Sequence, residues 1–160
     1  MIENLSGYFA KRLNGFTQNK EISVDHVRYI IALQLHVLII FIGVILIALF
    51  TGKVGEAIIA FISLGILRRY SGGFHLKTLE GCAIFTILLI TIVTLSNVNE
   101  IMSVNLLALI IVLIFSKKSK QLIFISLLLI STNFFIYSEV IALSFLAQSL
   151  TLISFKEVRT

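Results

Sequence analysis

Six apolar runs, at residues 29–50, 54–67, 82–96, 102–115, 121–137 and 140–155, make up most of this chain, and short polar stretches separate them. Runs of Leu, Ile, Val and Phe with so few charges predict membrane-spanning helices. Several are only about 15 residues long, or about 22 Å as helix, which is short against a hydrocarbon core of about 30 Å. Such lengths imply local thinning of the bilayer or a hydrated cavity within it. The beginning of the chain follows a different pattern. Ile2, Leu5, Phe9, Leu13 and Phe16 recur at helical spacing, while Lys11, Arg12 and Asn14 point elsewhere. This predicts an amphipathic helix over residues 2–20 lying in the membrane interface, with a tail that touches lipid transiently as the alternative. Proline is absent, so helix ends must rely on Gly52, Gly55, Gly72, Gly73 and Gly81 and on caps such as Ser23, Thr78 and Ser103. With no internal repeat or low-complexity tract, residues 1–160 read as a single all-α polytopic membrane domain. Its transmembrane bundle occupies residues 29–155.

Composition agrees. Hydrophobic residues form 58% of the chain and charged residues 13%, against roughly 45–50% and roughly 25% in soluble domains. Mean hydropathy is +1.06. The first thirty residues carry Lys11, Arg12, Lys20 and Arg28 without an apolar signal-peptide core, so the N-terminus is expected to remain as made.

The placement of charge matters more than its sum of +5. If the N-terminus is cytoplasmic and the chain crosses six times, twelve of the thirteen Lys and Arg residues fall on the cytoplasmic side, with Lys53 alone outside. The positive-inside rule then puts both termini and the segment from Arg68 to Cys82 at the cytoplasmic face. The short outer turns hold Glu56, Glu100 and Glu139.

Candidate chemistry lies in the run RRYSGGFHLKTLEGC, where the chain's only cysteine, Cys82, follows His75 by seven residues. A lone cysteine excludes an intramolecular disulfide and a multi-cysteine zinc site, and leaves a structural thiol, a palmitoylated one or a reactive one. As a nucleophile it needs an imidazole within about 3–4 Å. In one continuous helix the two residues would share a face but sit about 10.5 Å apart along the axis. A working pair therefore requires the chain to turn back between them. Gly72 and Gly73 permit such a turn, and Thr78 is a suitable N-cap for a helix with Cys82 in its first turn. There the helix dipole and the positive potential of Arg68, Arg69 and Lys77 would favour the thiolate. The competing reading makes Cys82 a small apolar residue at a helix start, His75 an interfacial loop residue and the arginines ordinary membrane anchors.

Two further polar side chains interrupt the first apolar run. Gln34 could donate a hydrogen bond to an oxyanion, orient His75 or bond to another helix. His36, about 200° away around the helix, faces a different partner and reads as a packing residue. His26 lies among Asp25 and Arg28 before the run and is expected to be solvated.

The arginine pair, the small-residue stretch with Gly73, and His75 and Cys82 seven apart after the second span resemble the accessory gene regulator B (AgrB) family of bacterial quorum-sensing membrane peptidases. The resemblance extends to the amphipathic N-terminus, the six spans and the basic loop after the fourth. It implies that His75 and Cys82 are the catalytic pair of a cysteine endopeptidase, with Arg68 and Gly73 supporting the site. It also implies a small amphipathic, AgrD-like precursor peptide as substrate, cleavage through an acyl-enzyme thioester, closure of a thiolactone ring, a homodimer, and residence in the bacterial plasma membrane. No cofactor, metal or nucleic acid is implied. The chain departs from the family pattern in two places. The loop after the fourth span is only SKKSK, where many relatives have a longer, proline-containing one, and Gln34 stands where many relatives have a glutamate.

Rival functions come from other classes. A transporter or channel would place ionisable groups at mid-span, and this chain has almost none there. A non-catalytic peptide-binding or structural membrane protein fits the same composition, and separates from a peptidase by whether Cys82 is needed for cleavage.

Overall fold

The computed structural model describes residues 6–8, 24–72, 78–116 and 118–153. Among them there are helices and no strands. Residues 6–8 are helical, and six longer helices follow: α1 (Val24–Thr51), α2 (Val54–Ser71), α3 (Leu79–Leu95), α4 (Ile101–Phe115), α5 (Lys120–Ile136) and α6 (Glu139–Ile153). Each apolar run read from the sequence coincides with one helix. Of the predicted N-terminal helix, only Ser6, Gly7 and Tyr8 are among the described residues; its apolar positions Ile2, Leu5, Phe9, Leu13 and Phe16 lie outside them.

The largest difference is at α1, which starts five residues before its apolar run and takes in Asp25, His26 and Arg28. An apolar run marks the stretch matched to lipid, whereas a helix can continue into water when its first turn suits the dipole, and Asp25 does. At 28 residues α1 is about 42 Å long, enough for the hydrocarbon core and the headgroup layers. It is the one helix among the described residues long and apolar enough to cross a membrane, and only 17% of its most apolar window is buried. Helices α3 to α6 are apolar but shorter, at 15 to 17 residues. Helix α2 carries Glu56 in its first turn and Arg68 and Arg69 in its last, each sign at the favourable end of the dipole.

Serine and threonine occur throughout these helices without breaking them, because their hydroxyls return to backbone carbonyls of the preceding turn. Thr86 bonds to Cys82, Thr94 to Ile90, Ser126 to Leu122 and Ser144 to Val140, all at 2.7–2.9 Å. A hydroxyl satisfied within its own helix can be buried at little cost.

Contacts divide the chain into two compact units, residues 1–43 with 75–87 and residues 44–74 with 88–160. In the first, α1 and α3 approach closely at Gly43. A Cβ placed there would lie 2.6 Å from Ile87 Cδ1, so the absent side chain sets the spacing.

In the second unit, α6 packs against α4, α2 and α5. Leu67 of α2, Ala108 and Val112 of α4, Ile130 of α5, and Phe145 and Leu152 of α6 form its apolar core. The unit is tied at both ends by polar contacts. At one end Asn133 donates to Asn105 Oδ1 at 3.1 Å and to the Ser138 carbonyl at 2.9 Å, and accepts the Ser138 N–H at 3.1 Å. This clamps the turn after α5, where Tyr137 adopts a left-handed conformation at φ 56°. At the other end Gln148 reaches the end of α2.

The turn between α1 and α2 consists of Gly52, at φ +73°, and Lys53. Lys53 Nζ donates to the Thr94 carbonyl at 3.1 Å, placing a positive charge on the last turn of α3.

Candidate active site around Cys82

Cys82 owes its position to Thr78. The Thr78 hydroxyl accepts the Gly81 N–H at 3.2 Å, and the Thr78 carbonyl accepts the Cys82 N–H at 3.1 Å. These are the side-chain bond of an N-cap and the first bond of the helical ladder. Helix α3 thus begins at Leu79 and holds Cys82 in its first turn, as the sequence predicts. Thr78 itself lies outside the helix, in a bend, and residues 73–77 are outside the described residues. The cap also consumes donors: the Gly81 and Cys82 N–H groups are both bonded to Thr78.

Cys82 is 3% exposed. Its own carbonyl accepts the Thr86 hydroxyl at 2.8 Å. Burial removes bulk water from the thiol, a condition that suits a thioester intermediate.

The run that leads to Cys82 starts from the end of α2. Arg68 is half-buried, and its carbonyl accepts the Gly72 N–H at 3.1 Å, closing the helix. Gly72 then takes φ +82° and ψ −154°, a region open essentially to glycine alone. A Cβ there would also come to 3.0 Å from Lys118 Cε. The expectation that Gly72 ends the helix before the polar run holds, while Gly73 lies outside the described residues.

Three side chains converge on this helix end. The Ser71 hydroxyl donates to the Leu67 carbonyl at 2.8 Å, and the Ser116 hydroxyl donates to the Ser71 carbonyl at 3.2 Å. Gln148, fully buried on α6, donates from Nε2 to the Gly72 carbonyl at 2.6 Å. Ser71, Ser116 and Gln148 are not among the candidate residues that the sequence suggests. A lone amide within the apolar run 140–155 was the available signal, but its partner lies 76 residues away.

Of the remaining candidates, Gly73 and His75 lie outside the described residues, as does Lys77. Gln34 is exposed on α1. His36 is half-buried, and its Nδ1 is buried without a hydrogen-bond partner. His26 is exposed, as expected of a residue before the first apolar run. Among the described residues no group of three or more His, Cys, Asp or Glu side chains is placed to hold a metal ion.

The family model described as Accessory gene regulator B covers residues 2–120, a range that includes Gln34, Arg68, Gly73, His75 and Cys82. No curated protein and no solved structure gives a significant match.

Proposed function

The chain belongs to the accessory gene regulator B family of membrane proteins linked to quorum-sensing peptide processing, and from that premise we propose that it is a membrane-embedded cysteine endopeptidase acting on an AgrD-like precursor. The observation that carries this reading is the Thr78 cap. It starts a new helix after the polar run and sets a water-excluded Cys82 in the first turn, seven residues from the only histidine in that run.

In the proposed reaction His75 takes the Cys82 thiol proton, and the thiolate attacks a backbone carbonyl of the precursor. As the tetrahedral intermediate collapses, the C–N bond breaks, the proton passes from His75 to the departing amine, and the C-terminal fragment leaves. Cys82 then holds the N-terminal part as a thioester. Attack by a cysteine thiol of the precursor itself exchanges that thioester for an internal one, closes the thiolactone and returns the proton to Cys82. Exchanging one thioester for another is nearly neutral in energy, so the ring survives if water is excluded, and the burial of Cys82 supports this. Arg68 and Gly73 support the site, and Gln34 serves as an oxyanion donor, as an orienting group for His75 or as a hydrogen-bonding partner for another helix.

The same reading makes the chain one polytopic domain of six spans in the plasma membrane, with both termini and the catalytic segment cytoplasmic. Twelve of thirteen basic residues then line the inner rim, which suits a precursor with an acidic C-terminal part. It functions as a homodimer in this reading.

Co-expression with the precursor peptide tests the assignment, by comparing cleavage in wild type, Cys82→Ser and His75→Ala. Both variants are expected to lose cleavage while still inserting into the membrane. Cleavage that persists in Cys82→Ser would sink the peptidase assignment.

A further inference from the structure

Helix α1 carries a stripe with a repeat of four: Ala32, Ile40, Val44 and Ala48 are buried, and His36 takes the remaining place, half-buried. Helix α3 has a matching stripe in Cys82, Thr86, Ile90 and Thr94, all buried. Positions four apart share a helix face. In the first compact unit the two helices meet where Gly43 sits against Ile87. In the second, Val44 and Ala48 line one small cavity with Ile90 and Thr94, so the two stripes face each other there. Both helices pass from the first of these contacts to the second with increasing residue number, and therefore run side by side in the same sense. Eight residues before Val44 on its stripe stands His36, and eight before Ile90 stands Cys82. Both belong to the first unit, and the repeat sets them at one level on facing stripes.

His36 is the one ionisable residue on its stripe, and its Nδ1 is buried without a hydrogen-bond partner. An unpaired ring nitrogen within an apolar helix is costly, and packing alone would be met better by an apolar side chain. Gln34, the amide that the sequence offers as a hydrogen-bond donor, is exposed on another face of α1. The other titratable groups described in this unit are exposed too: Asp25, His26, Arg28 and Tyr29 near the start of α1, Tyr8 before it, and Glu80 about 200° around α3 from Cys82. We propose that His36 is a thiolate-binding residue of the Cys82 site, its Nδ1–H donating a hydrogen bond to Sγ once the thiol has lost its proton. The thiol proton goes to the general base, the negative charge stays on Sγ, and the imidazole keeps its own hydrogen, so no bond to His36 breaks. The proposal rests on the peptidase reading above.

The test follows the pH dependence of alkylation by iodoacetamide at Cys82, the only thiol, in the full-length protein in detergent. His36→Leu removes the N–H in a side chain of comparable bulk. It is expected to slow alkylation at pH 7 by at least about threefold and to leave the rate in place near about pH 10, where the thiolate forms without help. His36→Met takes its place if the leucine variant does not fold. His36→Asn, whose amide nitrogen stands where Nδ1 does, is expected to restore most of the rate at pH 7. Ile40→Ala, one turn along the same stripe, is the packing control, expected to lower the melting temperature and leave the alkylation profile in place. A profile unmoved by His36→Leu overturns the donor role, and so does equal slowing in the leucine and asparagine variants. A shift in Ile40→Ala as large as that in His36→Leu reduces His36 to a packing residue. Cleavage of a co-expressed precursor separates this role from the reading beneath it. If Cys82→Ser abolishes cleavage while His36→Leu leaves the profile unmoved, the donor role falls alone; cleavage that persists in Cys82→Ser overturns both.

Discussion

Thr78 and Gly81 are joined side chain to backbone at 3.2 Å, and that bond decides where the helix carrying Cys82 starts. Thr78→Ala is expected to cost about 1 kcal/mol through loss of the cap, and Thr78→Ser much less. The local signature is faster amide hydrogen exchange at Gly81 and Cys82 in the alanine variant. Unchanged exchange at those two amides would show that the cap does not hold the first turn.

Gly43 of α1 sits against the Ile87 side chain of α3. Since a Cβ at Gly43 would meet Ile87 Cδ1 at 2.6 Å, Gly43→Ala is expected to lower stability by about 1 kcal/mol as the isoleucine rotates or the helices part. Ile87→Val removes the offending methyl, so the double variant should recover most of that loss. Thermal unfolding of the two single variants and the double one completes the cycle, and additive losses would mean that the two sites do not touch.

Gly72→Ala puts a side chain where φ is +82° and Lys118 Cε lies 3.0 Å away. Lys118 is exposed and can swing aside, so the backbone conformation supplies the cost, about 1–3 kcal/mol. Combining it with Lys118→Ala should therefore leave most of the destabilisation in place. Full recovery in that double variant would assign the effect to crowding.

Tyr137 occupies a left-handed conformation at φ 56° and is exposed, so it gives little packing in return. Tyr137→Asn or Tyr137→Gly is expected to stabilise the protein by about 0.5–1 kcal/mol in detergent. A lowered melting temperature in both would indicate that the tyrosine ring is itself an anchor.

The helices were legible in the sequence because each apolar run is longer than a turn can interrupt and no proline breaks any of them. Boundaries were less so. Hydropathy marks where lipid-compatible residues begin, and α1 runs on through Asp25, His26 and Arg28, which hydropathy discounts. At the candidate site, Thr78 could be read in advance because a cap acts on residues three and four positions away. Gln148 could not. Its partner, Gly72, is remote in sequence, and neither residue type announces such a contact. Asn105 and Asn133 were hidden for the same reason, as isolated polar positions in runs that otherwise read as uniformly apolar. Lys53, the single basic residue assigned to the outer side, gains a physical account only from the structure: it is bonded to the last turn of α3.

The place of α6 in the core sets a limit on shortening the chain. A protein ending at residue 120, where the family match stops, would retain every candidate catalytic position and lose both Phe145 and Leu152 from the cluster that encloses Leu67, Ala108 and Val112. The face of α2 just before the arginine pair would be uncovered. Everything recognisable about the chemistry would survive such a truncation, and the helix end from which the His75 segment departs would have lost its floor.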